Sequence, residues 1–192
     1  MSAHGVVVLA AGDSSRLGQS KQLLRHRGET LIHRAARIAL ETTPGDAVIV
    51  LGAQADSIFA QVADLPIRRV DCDDWPLGMA ASLLTGIAAL SAECDGALIV
   101  VCDQPALSTA HLTALIAAWH TNPQHAAASH YADHLGVPAL LPREWFTDLR
   151  NLHGDLGAHD LLAQRRAEIT VVANEALAID IDRPVDLFWL ES

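Results

Sequence analysis

The chain has 192 residues, 51% of them apolar, and a formal net charge of −10 at pH 7. A chain of this length can bury most of its unfolded-state surface as one domain, here residues 1–192, and its acidity argues against nucleic acid as a partner. No run approaches the roughly 18 uninterrupted apolar residues of a membrane span, no targeting pattern opens the chain, and Cys72, Cys94 and Cys102 show no CxxC spacing, so a soluble, cytoplasmic protein is expected.

Strand-like runs alternate with helix-like stretches, the pattern of a mostly parallel α/β sheet between two helical layers. Gly5–Leu9 reads as a buried strand. Leu31, Ile32, Ala35, Ile38 and Ala39 recur at helical spacing behind Thr30, a candidate N-cap. Strands are expected over 47–51 and 67–70, then a helix over 82–90 with Leu83, Ile87 and Leu90 on its apolar face. Residues 97–101 form the clearest central strand, followed by a helix that Ser108 caps and that buries Leu112, Leu115, Ile116 and Trp119. Two strands, 126–131 and 137–141, flank a turn at Ala132-Asp133-His134. A helix near 143–149, a glycine-bearing loop His153-Gly154-Asp155-Leu156-Gly157, a strand at 169–172 and a closing helix after Pro184 complete the series.

The segment after the first strand carries the strongest chemical signal. Leu9-Ala10-Ala11-Gly12-Asp13-Ser14-Ser15-Arg16-Leu17-Gly18-Gln19-Ser20-Lys21 contains the only lysine of the chain; the other twelve basic residues are arginines. Six of the thirteen basic residues fall between Arg16 and Arg37, so a local positive field sits within an acidic chain. A small-residue loop at the end of a first strand is where backbone N–H groups converge on phosphate. An ammonium is a compact charge suited to that ligand. The spacing fits neither a P-loop nor the GxGxxG fingerprint, since five residues separate Gly12 from Gly18 and Lys21 follows three later.

Asp103 stands at the carboxyl end of a central strand, where open α/β sheets bind ligands. Asp180 and Asp182 share one extended segment, and one of them, Asp182 by preference, is expected to face the site. Two carboxylates and phosphate oxygens make a hard-oxygen set suited to Mg²⁺. His120, His125, His130 and His134 have spacings that fit no ligand pattern and are taken as solvated or hydrogen-bonded. Trp75 and Trp119 are taken as packing residues.

The loop motif LAAGxSSRLGxxK resembles the signature of nucleotidyltransferases built on a Rossmann-like sheet, of the nucleotide-diphospho-sugar transferase type. The succession continues through Gly78-Met79-Ala80-Ala81-Ser82, Cys102-Asp103-Gln104-Pro105, Gly136-Val137-Pro138, Gly154-Asp155-Leu156-Gly157-Ala158 and Asp180-Ile181-Asp182. It is similar to the molybdenum cofactor cytidylyltransferase group within the molybdenum cofactor guanylyltransferase-like family. The resemblance implies a three-layer α/β/α sandwich that moves CMP from CTP to a phosphorylated, molybdopterin-type acceptor. Leu9, Ala10, Ala11, Gly12, Gly78 and Ser82 would hold the nucleotide, Arg16 and Lys21 the triphosphate, and Asp103 with Asp182 the magnesium. Gly136, Pro138, Gly154, Asp155 and Gly157 would face the acceptor. Ala11 replaces the second glycine usual in guanylyl-transferring relatives, which favours CTP over GTP. A GTP-dependent enzyme of the same fold is the alternative. A non-catalytic assembly factor is another, and a transient contact with a molybdoenzyme or its chaperone fits either role.

Overall fold

A computed structural model describes residues 3–191. The first apolar run forms β1 (His4–Ala10), buried except for half-buried Leu9 because both faces are covered. A two-stranded hairpin, β2 (Arg25–His26) and β3 (Glu29–Thr30), leads into α1 (Leu31–Leu40), whose His33 N–H donates to the Thr30 hydroxyl at 3.4 Å. There follow β4 (Asp46–Leu51), α2 (Ala55–Phe59), β5 (Arg68–Asp71), α3 (Met79–Ala89) and β6 (Gly96–Val101). The second half supplies α4 (Thr109–Thr121), β7 (Ala126–Tyr131), β8 (His134–Pro142), α5 (Phe146–Leu149), α6 (Ala158–Gln164) and β9 (Ile169–Ala173).

Seven strands form one sheet in the order β5-β4-β1-β6-β8-β7-β9, in which β8 alone runs against the others. Alternate side chains divide the core in two. Val6, Val8, Ile49, Leu98 and Val100 pack with Ile32, Ala36, Leu112 and Trp119 beneath α1 and α4. Val7, Val48, Val50, Ile99 and Ala139 pack with Leu83, Ile87, Trp145 and Leu161 beneath α3, α5 and α6. The result is the expected three-layer sandwich. From β1 the chain first builds outward through β4 and β5, then returns past β1 to form β6, leaving a crevice at the carboxyl ends of β1 and β6.

Three boundaries differ from expectation. Helix α3 begins at Met79, a turn earlier than expected, directly after Gly78 at φ +111°. Strand β8 begins at His134, because Ala132 and Asp133 both take positive φ (47° and 61°) and close a two-residue hairpin matched to strand twist. The closing segment Pro184–Leu190 is a 3₁₀ helix. Its Leu187 and Leu190 pack on a small third core of Leu17, Leu31 and Ile181.

Helix α3 approaches the sheet through Gly86. A Cβ there would stand 2.4 Å from Val7 Cγ1 and 2.8 Å from Val50 Cγ2. Gly86→Ala should therefore destabilise the fold: overpacking costs about 1–3 kcal/mol, against a helix-propensity gain of at most about 1 kcal/mol. A denaturant midpoint equal to or above that of the wild type would show that α3 can lift off the sheet freely.

Candidate active site

Beyond β1 the chain leaves the sheet, and its backbone is organised by one buried amide. Gln22, 1% exposed, donates through Nε2 to the carbonyls of Ala10 at 3.1 Å and Gly12 at 2.9 Å. Its Oε1 accepts from the Ser20 hydroxyl at 2.8 Å and the Ser14 hydroxyl at 3.3 Å. Ser14 Oγ in turn accepts the Lys21 backbone N–H at 3.1 Å. Sequence reasoning stopped at Lys21 and missed Gln22. A glutamine beside a lysine in a loop reads as solvated, and nothing in the pattern signals that its partners are main-chain carbonyls.

Lys21 points across the crevice. Its Nζ lies 2.6 Å from Asp103 Oδ2 at the end of β6 and 3.6 Å from Asp182 Oδ1 in the C-terminal segment. Burial alone would lower the pKa of this ammonium. The charge and hydrogen bond of Asp103, with Cys102 and Asp182 behind it, outweigh burial and raise it to about 12. Lys21 is therefore a fixed cation. Arg16 hydrogen-bonds Asp182 from the other side, with its own side chain largely in solvent. The C-terminal segment is held in register by the Ile181 N–H, which donates to the Asp103 carbonyl at 2.8 Å. Asp186 accepts the backbone N–H groups of Asp182 and Arg183 at 3.1 and 2.7 Å.

Lys21 and Arg16 both hold protein carboxylates, so removing either one breaks internal contacts. Residues i and i+2 of an extended segment share a side, so taking just one of Asp180 and Asp182 to face the site was poor geometry. Ile181 between them is buried, Asp182 lines the crevice, and Asp180 is close enough to sense it. Burial first, then the charges of Asp103 and Asp182, raise the Asp180 pKa, with Lys21 opposing. Cys102, beside Asp103, has its thiol pushed up to about 12 by burial and by that carboxylate. It stays protonated at neutral pH and offers no thiolate nucleophile.

The opposite wall is the start of α3. Gly78, Met79 and Ser82 line the crevice, so the positive end of an eleven-residue helix without an acidic residue in its first turn faces it. Trp75 forms part of the same wall, seated over Gly52, where a Cβ would fall 2.4 Å from its ring. The loop after α5 is pressed onto this wall. The Ala80 N–H donates to the Gly154 carbonyl at 3.1 Å, and a Cβ on Gly78 would meet that carbonyl at 2.3 Å.

The crevice has a volume of about 440 Å³. Leu9, Ala10, Ala11 and Gly12 line it from the β1 side, with Arg16 and Lys21. Gly78 and Ser82 line it from α3, and Asp103, Asp155 and Asp182 from the remaining sides. Gly154 and Gly157 lie behind the Asp155 wall, the latter so close that a Cβ would come 2.7 Å from Met79 Sδ. Gly136 and Pro138 sit outside the lining, within β8; Gly136 packs against the Tyr131 ring, and the Pro138 carbonyl accepts from Ser129 Oγ at 2.6 Å. The residues expected to face the acceptor divide between the Asp155 wall and β8, which packs against α6 just after Gly157. A substitution at Gly157 would press on the nucleotide wall as well as on any acceptor.

Other expected residues fall into place outside the crevice. Trp119 is fully buried in the core, and His134 stacks edge-on to Tyr131 and His159 while its Nδ1 pairs with the Ala132 carbonyl at 3.0 Å. Gln104, next to Asp103, donates Nε2 to the Val137 and Leu177 carbonyls at 3.1 and 3.3 Å, pinning the end of β6 to the second half of the sheet.

Among the described residues no group of three or more His, Cys, Asp or Glu side chains is disposed to enclose a metal ion. Asp103 and Asp182, which meet at Lys21, offer a partial carboxylate set that a polyphosphate and water would complete. Carboxylates of the lining (Asp13, Asp103, Asp155 and Asp182) outnumber its two cations, Arg16 and Lys21. A triphosphate entering here therefore needs a cation with it, which fits a divalent metal.

Known proteins match both the sequence and the fold. A relative named nicotine blue oxidoreductase from Paenarthrobacter nicotinovorans is 32% identical over 96% of this chain and 94% of its own length. The purine catabolism protein PucB of Bacillus subtilis is 31% identical over 93% and 91%. A probable molybdenum cofactor guanylyltransferase from Synechococcus elongatus is 33% identical over 56% of this chain and 54% of its own length. Rv0371c of Mycobacterium tuberculosis superposes with a TM-score of 0.86 at 30% identity, covering 100% of this chain and 99% of that one. A second Rv0371c structure is a complex with manganese, with a TM-score of 0.84 and 27% identity over 100% of both chains. The family model described as the MobA-like NTP transferase domain matches residues 6–169, from within β1 to the first residue of β9, and the chain belongs to that family.

Proposed function

We propose that the protein transfers CMP from CTP to a phosphorylated acceptor of the molybdopterin type and releases pyrophosphate. The convergence of Lys21 and Arg16 on Asp103 and Asp182 carries this reading. The two cations and two carboxylates neutralise one another. Toward a triphosphate with its divalent cation, Lys21 and Arg16 would take phosphate oxygens, and Asp103 and Asp182 would hold the metal. The bound metal, Mg²⁺ or Mn²⁺, supplies charge neutralisation on the phosphates. The chain's own residues hold the triphosphate between the β1 loop and the α3 N-terminus, with Ser82 at the base side. An acceptor phosphate oxygen attacks the α-phosphorus in line, and the bond from that phosphorus to the oxygen bridging to the β-phosphate breaks. Its electron pair leaves with pyrophosphate. No side-chain nucleophile takes part; positioning and charge stabilisation dominate.

The base preference rests on Ala11, which belongs both to the crevice lining and to the core beneath α3, packed with Ala80 and Leu83. A methyl there narrows the wall relative to glycine, which disfavours the larger purine. For the acceptor we propose the side bounded by Asp155, with Gly154 and Gly157 supporting its backbone and the β8 residues Gly136 and Pro138 contributing to an outer rim. The full-length relative named an oxidoreductase supports a second reading, in which this chain handles a redox substrate.

Pyrophosphate release, measured with each of the four triphosphates, Mg²⁺ or Mn²⁺, and with or without molybdopterin, separates these readings. CTP with molybdopterin is expected to give the highest turnover. Equal or better turnover with GTP would make the protein a guanylyltransferase, and no release from any triphosphate together with oxidation of a nicotinamide nucleotide would favour the redox reading. Triphosphate binding without turnover would leave the assembly-factor role.

Lys21→Ala and Arg16→Ala should each lose about 2.7–4 kcal/mol of transition-state stabilisation. Lys21→Arg should also be impaired, because a planar fork cannot reach both carboxylates and phosphate as a point charge does. Lys21→Ala has a second signature. Without the ammonium that opposes them, burial and the charges of Asp103 and Asp182 raise the Asp180 carboxyl further above its unfolded value. Stability of the variant relative to wild type is then greatest at acid pH and falls as pH rises through that raised value. Thermal melts at pH 5 and pH 8 that show an equal deficit would mean that Lys21 does not act on Asp180.

Asp103→Asn and Asp182→Asn should raise the metal concentration needed for half-maximal turnover, with Asp180→Asn showing a smaller effect. Metal titrations in which Asp180→Asn is the most damaging of the three would move the metal to the outer carboxylate.

A further inference from the structure

Gln22 stands at the centre of the crevice wall, yet every hydrogen-bonding position it owns is taken by the loop itself. Both Nε2 hydrogens go to the carbonyls of Ala10 and Gly12, and Oε1 receives the hydroxyls of Ser14 and Ser20. Such a side chain has nothing left to offer a ligand directly. What it controls is the direction of the peptide planes. The peptide joining Gly12 to Asp13 is planar and trans, so a Gly12 carbonyl turned onto Gln22 forces the Asp13 N–H to point away from it. Both Gly12 and Asp13 line the crevice. The same amide, through Ser14, fixes the backbone N–H of Lys21 and with it the root of the lysine side chain.

We propose that Gln22 is the positioning residue of the triphosphate loop: it turns the Gly12–Asp13 peptide so that its N–H faces the triphosphate, and it sets the base from which Lys21 reaches across the crevice. This deepens the nucleotidyl-transfer reading and rests on it. A loop of glycine and small residues has many conformations of similar energy, and Ser14 at φ 57° holds one that few residues adopt. The buried amide selects one of them before ligand arrives, which lowers the ordering cost of binding.

The discriminating variant is Gln22→Glu, identical in shape. At neutral pH its carboxylate turns lone pairs toward two carbonyls that need donors. In the full chain, the affinity for CTP with Mg²⁺, read by calorimetry, and the KM for CTP should weaken by on the order of 10–100-fold. Both should partly recover as pH is lowered, because a protonated carboxyl regains one O–H donor, while the wild type lacks that acid-side recovery. Ser20→Ala removes one of the two hydroxyls holding Oε1 and should weaken CTP binding in the same direction by a smaller factor. Wild-type affinity in Gln22→Glu, or weakening without acid recovery, would overturn the assignment. If Gln22→Glu does not fold, Ser20→Ala decides: unchanged CTP affinity overturns it. The broader reading fails separately. If the wild-type protein does not bind CTP with Mg²⁺ or any other triphosphate, nucleotidyl transfer falls; if it binds and Lys21→Ala abolishes binding while Gln22→Glu does not, only the role of Gln22 falls.

Discussion

One lysine joins three distant pieces of chain. Lys21 comes from the loop after β1, Asp103 from the end of β6 and Asp182 from the segment after β9, and Nζ touches both carboxylates. Without a cation at that point, three nearby aspartates would share a partly buried pocket, an arrangement whose Coulombic cost rises as solvent is excluded. The ammonium makes the carboxylates tolerable, and the carboxylates keep the ammonium charged despite burial. On the proposed reading, ligand binding here exchanges partners between already formed ion pairs. The site's affinity is consequently a difference between two sets of contacts, and its dependence on salt and metal follows from both sets.

The sheet makes this meeting possible. Because β1 lies between β4 and β6 in a sheet otherwise parallel except for β8, the loops leaving β1 and β6 emerge side by side. Helix α3 packs on β1 and β4 through Gly86 and delivers its N-terminus to the crevice from the other side. The close seating of Gly154 on Gly78 couples the nucleotide wall to the loop after α5. A change on either surface is transmitted through backbone contact, with no flexible side chain between them to absorb it.

Much of this was legible in the residues. Period-two and period-3.6 patterns located most strands and the helices α1, α3 and α4, and Thr30 and Ser108 act as the caps their chemistry suggests. The lone lysine marked the loop. Less was legible where a residue's partners lie in the main chain or far along the sequence. Gln22 and Gln104 hold carbonyls, which leave no trace in side-chain patterns. The turn at Ala132-Asp133 was legible, but its closure to two residues and the early start of β8 were not, because the glycine that usually announces so tight a turn is absent. The relation of Asp180 to Asp182 was misjudged because their segment is extended but unpaired as a strand, and its facing is fixed by buried Ile181 and the bond to Asp103.

The C-terminal segment has a consequence for how the site comes into being. Asp182 is separated from Arg16 by 166 positions, and Ile181 reaches Asp103 only when the sheet is already in place. Contacts of such long range carry a large loop-closure cost until the intervening structure has formed. The strands β1 through β9 bring Lys21 and Asp103 to the crevice, and its second carboxylate joins them only where residues 180–190 lie over Leu17 and Leu31. The crevice thus draws its second carboxylate from a strap at the far end of the chain, held by the bond from Ile181 to Asp103 and by a small apolar core of its own.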